Sequence, residues 1–466
     1  MPKLKEKAFW IVAGDIAGRG LSFAASIYLA RILGSEFYGL IIVALSVLGY
    51  ATWFSDLGLI SIGTRETAKE PLKRNFRVLE IFKLKLVLGV TVLILATLLV
   101  SIIDSGEIEQ QVILGYLYSL IPYMALMEWF YAGKQQFGKI AASKIFNGLV
   151  YFLLVIFLVD TAEDVTLVPV LYTAGISVAA LTLATFAITD KPFTLPSRGT
   201  RIYSDLIKTS SILGLGKFFS QIVQLLPPLL IGALLSLHDA GLYGAAFRIV
   251  IIAMMIDRVF VNLLLPNLAS LWSIDRSAAA LKVDIVYKSV AVGGAFIALF
   301  TAVSAEQVIQ ILYGPEYAGS AVLLQLLSIL IAVTFINSLF SFGLIATGND
   351  KAYFLATCLG GTISGLVIVI FIALGSSIYA AAAVSLAEII ITFFTFMWFR
   401  KIIPLNYLKP LLISYPVAIL LFFAFNLVPF MPLINAVLAS ILFLIVIKIT
   451  GIFNNAQIAW VKEKLL

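Results

Sequence analysis

Asp15, Arg19, Ser22 and Ser26 recur at intervals of four, three and four residues. On a helix of 3.6 residues per turn this spacing puts an acid, a base and two hydroxyls on one face. Such a face can hold an anion on its guanidinium, or a cation or proton on its carboxylate. Gly14, Gly18 and Gly20 flank it and leave room for close packing or bending. A second polar stripe, Lys217, Ser220, Gln221 and Gln224, precedes Pro227-Pro228, a pair expected to kink its helix. Arg248 and Arg258 fall about 80° apart on a third helical wheel, with Asp257 opposite Arg248. Glu388 lies near the middle of another apolar run. Arg19, Lys217, Arg248 and Arg258, with Gln221 and Gln224, therefore outline a positive, water-filled cavity. A phosphate or pyrophosphate suits it, because guanidinium pairs bidentately with such oxygens. Asp15 and Glu388 are the acids placed to couple a proton or a sodium ion.

Plainer readings stand beside these. Asp15 and Arg19 are i,i+4 partners and can neutralise each other. Asp257 and Arg258 can snorkel to an interface, as can Glu128. Lys83 and Lys85 open an apolar run and read as anchors at its end. Lys217 and Glu388 resist dismissal, because neither reaches an interface easily.

The elements that carry these residues are apolar runs. Hydrophobic residues make up 61% of the 466-residue chain and charged residues 12%, about half the charged share of a soluble protein. Runs of about 20 apolar residues cross a bilayer as helices, and irregular backbone cannot cross lipid. The reading is an all-α polytopic membrane protein with about fourteen spans. They cover 8–32, 38–60, 79–103, 108–131, 140–159, 165–188, 206–235, 242–265, 284–304, 318–346, 352–374, 378–399, 408–428 and 432–448. The first run is too long for the apolar region of a cleavable signal. One cysteine, Cys358, and one histidine, His238, exclude intramolecular disulfides, Cys/His metal sites and most His-based catalysis.

Lys and Arg alternate between loops. The segments around Lys3–Lys7, Arg65–Arg77, Lys134–Lys144, Lys191–Lys208, Arg276–Lys288, Lys351, Arg400–Lys409 and Lys448–Lys464 hold 25 of the 32 cations. The intervening segments hold only Arg31 and carry acids instead, such as Asp104, Asp160, Asp239 and Glu316. Short basic loops stay in the cytoplasm, so both termini are placed there, in a multi-pass plasma-membrane protein. The net charge of +7 follows from this bias and calls for no nucleic-acid partner. No D-x-D motif and no large extramembrane segment is present, so the chain does not read as an enzyme, and no cofactor or metal is expected.

The chain also repeats. A shift of 205 residues lays Tyr38-Gly39 on Tyr243-Gly244, and 61–78 on 266–283, two segments suited to amphipathic interface helices. A shift near 215 lays 133–159 on 348–374. Two parallel six-helix lobes are expected, residues 1–190 and 191–400, followed by two additional helices in 401–466. Two such lobes face to face enclose a midplane cavity in many transporters.

Gly18-Arg19-Gly20-Leu21, Tyr28-Leu29-Ala30-Arg31-Ile32-Leu33-Gly34, Tyr38-Gly39, Asp56-Leu57-Gly58-Leu59 and Thr64-Arg65-Glu66 follow in order. Glu128-Trp129-Phe130-Tyr131-Ala132-Gly133 and Leu312-Tyr313-Gly314-Pro315-Glu316-Tyr317 come later. The set resembles the polysaccharide-biosynthesis flippases of the multidrug/oligosaccharidyl-lipid/polysaccharide exporter superfamily. That resemblance implies two six-helix lobes and transfer of a polyprenyl-diphosphate-linked oligosaccharide to the outer leaflet. It also implies cations in a central cavity, for which Arg19, Lys217 and Arg248 lie on suitable helices. Glycosyltransferases or a polymerase of the same pathway are the implied partners. The competing classes are a cation-coupled multidrug or metabolite antiporter, which calls for an acidic or apolar cavity, and a peptidoglycan-precursor flippase, which shares the cationic one.

The topology is tested by reporter fusions. Those after Asp104, Asp160 and Glu316 should report outside, and those after Lys73, Arg198 and Lys401 inside. Two reversed readings would overturn it.

Overall fold

The computed structural model describes residues 2–68, 71–103, 106–190, 218–219, 221–404 and 408–453. Every regular element among the described residues is helical. The first segment, Pro2–Asp56, is one helical stretch interrupted at Gly34 (φ 74°, ψ 174°), which divides it into α1 (2–33) and α2 (35–56). A side chain at that left-handed φ is strained, so glycine lets two membrane helices meet without a loop. The short α3 (Leu59–Thr67) follows a turn formed by Leu57 (φ 40°) and Gly58 (φ 85°). Next come α4 (Pro71–Ile102), α5 (Glu107–Tyr118), α6 (Leu120–Ala125), α7 (Glu128–Gly133), α8 (Phe137–Leu158), α9 (Val168–Asp190) and α10 (Gln221–Leu234). The remainder is α11 (Leu237–Ile274), α12 (Arg276–Tyr313), α13 (Ser320–Ala346), α14 (Asp350–Ile372), α15 (Ser377–Ile402), α16 (Leu408–Asn426) and α17 (Pro432–Ile449). Among the described residues twelve segments are long and apolar enough to span a membrane, and one of them, Ala13–Asp56, holds most of α1 and all of α2. With the shorter α10 the described residues hold fourteen such helices, in agreement with the apolar runs.

Two differences from the sequence reading have local causes. The fourth span is not one helix but α5, α6 and α7 in series. Pro122 lacks an N–H and crowds the carbonyl one turn back, which accounts for the break at Ser119. A second break, at Leu126–Met127, has no proline or glycine in it. The two segments read as interface helices also diverge. Residues 71–78 open α4, whereas α11 runs on to Ile274 and α12 starts two residues later. Asp275 caps α12 by accepting from the N–H groups of Ser277 (2.9 Å) and Ala278 (3.1 Å). A hydrogen bond from the Ser277 hydroxyl and those from the backbone hold the Asp275 carboxyl below the usual range.

Contacts gather the chain into two units, Met1–Gly241 and Leu242–Leu466. In the first unit α1 packs on α8 through small residues. Gly14 lies against Ala141, Gly18 against the Lys144 carbonyl, and Gly148 against the Gly18 carbonyl. Helix α10 packs on α2, with Gly232 against Val43 and Gly49 against Leu225. Without water, helices associate through dispersion and close backbone approach, and small residues permit that approach. In the second unit, Ala436, Ala439 and Phe443 of α17 are buried with Val292, Ala295, Leu299 and Val303 of α12. The Tyr415 hydroxyl of α16 donates to the Ala332 carbonyl of α13 at 2.9 Å. Large apolar side chains fill the outer faces, including Val87, Ile94 and Leu98 of α4 and Leu412, Leu420 and Phe423 of α16. In water such a surface is a liability, but facing lipid it is solvated.

The tightest approach is at Gly39, where an added Cβ would overlap the Leu237 carbonyl oxygen, whereas one at Gly20 would meet open space. Gly39→Ala should therefore lower membrane abundance and thermal stability severely, and Gly20→Ala should leave both nearly unchanged. Equal effects, measured by detergent-extracted melting, would contradict this packing.

Candidate functional site

The polar face of α1 has a different internal pairing from the one its spacing suggests. Asp15 meets Lys144 of α8, with Nζ 2.7 Å from Oδ1. The pair follows from the glycine packing, which brings α8 within reach at Gly18. Ser22 turns back to the Gly18 carbonyl at 3.0 Å, and Ser26 bonds the Tyr38 hydroxyl at 2.7 Å. Arg19 is half-buried, and among the described residues no carboxylate pairs with it. The i,i+4 neutralisation of Arg19 by Asp15 is thus replaced by an interhelical bridge. The signal was present, since Lys144 lies inside the predicted 140–159 span rather than in a loop.

Of the second stripe, Lys217 and Ser220 lie outside the described residues. Gln221 and Gln224 are half-buried on α10, which continues as a helix through the buried Pro227 and Pro228. Phe218, just before α10, packs on Trp53 with ring centroids 4.6 Å apart. In the second unit Arg248 is half-buried on α11. Asp257 is buried there and accepts a hydrogen bond from Ser338 of α13. Its reading as a snorkelling residue does not hold. Arg258 is on α11, but its side chain is outside the described residues.

Glu388 of α15 is buried, as its central position implied. Its Oε1 accepts from Asn337 Nδ2 of α13 at 2.9 Å. Asn337 Oδ1 accepts in turn from Ser341 and Thr395, each at 3.0 Å. A carboxyl, an amide and two hydroxyls thus form one chain of hydrogen bonds inside the second unit. It can hold a proton or a small cation, or simply lock α13 to α15.

A residue that sequence reasoning set aside proves central to the first unit. Lys85 is 1% exposed, not an anchor at an interface. Its ammonium donates to the carbonyls of Tyr123 and Leu126, each at 3.1 Å, and lies 4.9 Å from the centre of the Tyr123 ring. The Leu126 carbonyl is released by the helix break at Leu126–Met127, and the Tyr123 carbonyl, which also accepts from the Leu126 N–H at 3.2 Å, belongs to the last turn before it. Asp56 and Glu128 lie within electrostatic reach of the same ammonium. The motif residues surround it. Asp56 Oδ1 accepts from the Ile60 N–H at 2.8 Å at the start of α3. Trp129 packs on Gly63, and Gly133 sits against Thr64 and Thr67. The Tyr313–Tyr317 motif closes α12 in the second unit, where Tyr313 and Tyr317 are buried with rings 5.4 Å apart. Both motifs thus serve helix ends.

The apolar helices among the described residues, with charges held among them, define a multi-pass membrane protein. A family model described as polysaccharide biosynthesis protein matches residues 4–272. That is more than half of the chain, which therefore belongs to this family. No curated protein matches it in sequence. Among solved structures it is similar to a lipid II flippase MurJ in an inward closed conformation, at 14% identity and TM-score 0.75. That match covers 95% of this chain and 98% of the other. It is also similar to a multidrug resistance MATE family transporter in an inward-facing conformation, at 15% identity and TM-score 0.59, over 86% of this chain and 94% of the other. A MOP superfamily transporter from Pyrococcus furiosus, at 15% identity and TM-score 0.58, covers 86% of this chain and 95% of itself. These likenesses establish the fold.

Lys85→Met keeps the side-chain volume and removes both hydrogen bonds to the broken helix. A loss of about 3 kcal/mol is expected, since the buried Leu126 carbonyl and nearby acids are left uncompensated. Chemical denaturation in detergent measures it, and a loss below the scatter of surface variants would show that Lys85 does not hold the break.

Proposed function

We propose that the chain carries a polyprenyl-diphosphate-linked oligosaccharide from the cytoplasmic to the outer leaflet by alternating access, for surface polysaccharide or glycan assembly. The chief support is the charge balance on α1. Asp15 is matched by Lys144 at 2.7 Å, so the positive charge of Arg19 is left for another anion. A guanidinium within a membrane span costs roughly 2.5–3.5 kcal/mol on insertion scales, and a diphosphate is a partner of the required sign and fork geometry. Lys217, Arg248 and Arg258 are assigned to the same anion, with Gln221 and Gln224 beside them. The polyprenyl tail stays in lipid throughout. Membership of the polysaccharide biosynthesis family agrees with this cargo.

Coupling to a proton or sodium ion is assigned first to Glu388. Its partners, Asn337 and Thr334, are neutral, whereas a cation at Asp15 would have to displace the Lys144 ammonium. Both termini are placed in the cytoplasm of a plasma-membrane protein by the loop charges. Glycosyltransferases or a polymerase of the pathway would supply and consume the cargo. A second reading, export of a peptidoglycan precursor, is favoured by the likeness to a lipid II flippase along 95% of the chain. It uses the same cations.

The experiment is complementation of strains lacking either class of flippase, with membrane abundance measured alongside. Arg19→Ala should lower activity about tenfold or more, the scale of one lost charge-assisted contact, and Arg19→Lys should retain part of it. Asp15→Asn should leave the Arg19 function in place. Full activity of Arg19→Ala at normal abundance would overturn the diphosphate assignment, and the strain that is rescued separates the two cargoes.

A further inference from the structure

The diphosphate assignment uses no residue of α8, yet α8 delivers a lysine to the polar face of α1. Lys144 Nζ lies 2.7 Å from Asp15 Oδ1. Among the described residues neither side chain makes another hydrogen bond or ion pair. An ammonium has three donors, so this lysine has capacity for a further acceptor. The pair is not sealed, with side-chain exposures of 34% for Lys144 and 23% for Asp15. As a staple between helices it would be redundant, because Gly14, Gly18 and Gly148 already join α1 to α8.

The seat of Lys144 beside α1 sets what its ammonium can reach. Its backbone carbonyl and Cβ lie against Gly18, while its ammonium turns back to Asp15. Arg19 follows Gly18 directly and shares the polar face with Asp15, about 6 Å further along the helix axis. The lysine stem is flexible, so rotation about it carries the ammonium from the Asp15 side of Gly18 to the Arg19 side. Among the described residues no carboxylate pairs with Arg19, and Gly20 beside it borders open space. One guanidinium balances one negative charge. A diphosphate carries more than one, on two phosphoryl groups, and is held best by two cations.

We propose that Lys144 is the second cation, held by Asp15 while the site is empty and yielded to the diphosphate when cargo binds. Arg19 takes one phosphoryl group by its fork, and Lys144 takes the other as a point charge. Asp15 is a positioning residue. It keeps a charged lysine partnered within the span, where an unpartnered one is costly. A singly charged carboxylate gives way to an anion of higher charge, and it recaptures the ammonium when the cargo leaves. The inference rests on the diphosphate reading and adds to it a residue of α8 and a role for the acid beside Arg19.

The test measures binding of radiolabelled farnesyl diphosphate and farnesyl phosphate to the full chain in an amphipathic polymer, by equilibrium dialysis. The unsubstituted chain should prefer the diphosphate about tenfold, the scale of one added charge-assisted contact. Lys144→Gln should bring that preference close to one, and Lys144→Arg should keep part of it. Asp15→Asn, which removes the competing carboxylate, should tighten diphosphate binding about threefold or more. Lys144→Gln with Asp15→Asn leaves no unpaired charge, so it decides should Lys144→Gln alone not fold, and it too should lose the preference. A diphosphate preference unchanged in this double variant, or Asp15→Asn binding no more tightly than the unsubstituted chain, would overturn the role given to Lys144 while leaving the diphosphate reading intact. Absence of saturable diphosphate binding, or undiminished binding by Arg19→Ala, would overturn that reading and this inference with it.

Discussion

A backbone carbonyl opened inside a bilayer has no water to receive it, and the first unit is arranged around one such opening. The fourth span breaks at Leu126–Met127, and the released Leu126 carbonyl, with that of Tyr123 in the turn before it, meets the Lys85 ammonium. Each unsatisfied group would cost several kcal/mol in lipid. A cation in that position is itself expensive, so it stays only where acids and carbonyls surround it. Asp56 and Glu128 supply the charge. Asp56 ends α2 and starts α3, while Glu128 starts α7. Trp129 then lies over Gly63 of α3. The break, the lysine, the capping aspartate and the tryptophan are therefore one assembly.

Small residues set the remaining geometry, and through it the electrostatics. The approach of α8 to α1 at Gly14 and Gly18 is what brings Lys144 to Asp15. A methyl group at Gly18 would meet the Lys144 carbonyl, pushing apart the two helices and with them the ion pair. Packing thus decides which acid neutralises which base, a choice that i,i+4 spacing alone would make differently. The second unit follows the same logic with hydroxyls and amides. There Asn337 links Glu388 to Ser341 and Thr395, and hydrogen bonds of this kind join helices where hydrophobic burial offers no preference between protein and lipid.

The spans were legible because length and apolarity are local properties, and the break at Gly34 and the turn at Leu57-Gly58 fall at glycine-bearing motifs. Burial of Glu388 was legible as well, since a carboxylate in mid-span has nowhere else to go. Lys85 was not. Its place near the start of a span allows snorkelling, and only the fold shows that carbonyls from a different span lie closer than the interface. The break it serves has no proline or glycine to announce it. Lys144 was misread for a related reason. It is basic and near a basic loop, yet it lies inside α8, and its partner is set by helix register rather than by sequence distance. Local patterns describe elements, whereas pairings across elements depend on packing that a single chain read alone does not display.

This distinction bears on which charges remain for function. Counting acids and bases along α1 makes Asp15 and Arg19 cancel. Counting them in space makes Asp15 and Lys144 cancel and leaves Arg19. The two accounts have the same net charge when all three residues are included, but they put the surplus on different groups. On a lysine in α8 it would be a hydrated point charge near the end of a span. On Arg19 it is a planar fork, half-buried beside the open space at Gly20. A fork can pair with two oxygens of one phosphate at once and is more weakly hydrated than an ammonium. The glycine seam that seats Lys144 on Asp15 therefore does more than join two helices. It leaves the surplus charge on the side chain whose shape suits a diphosphate.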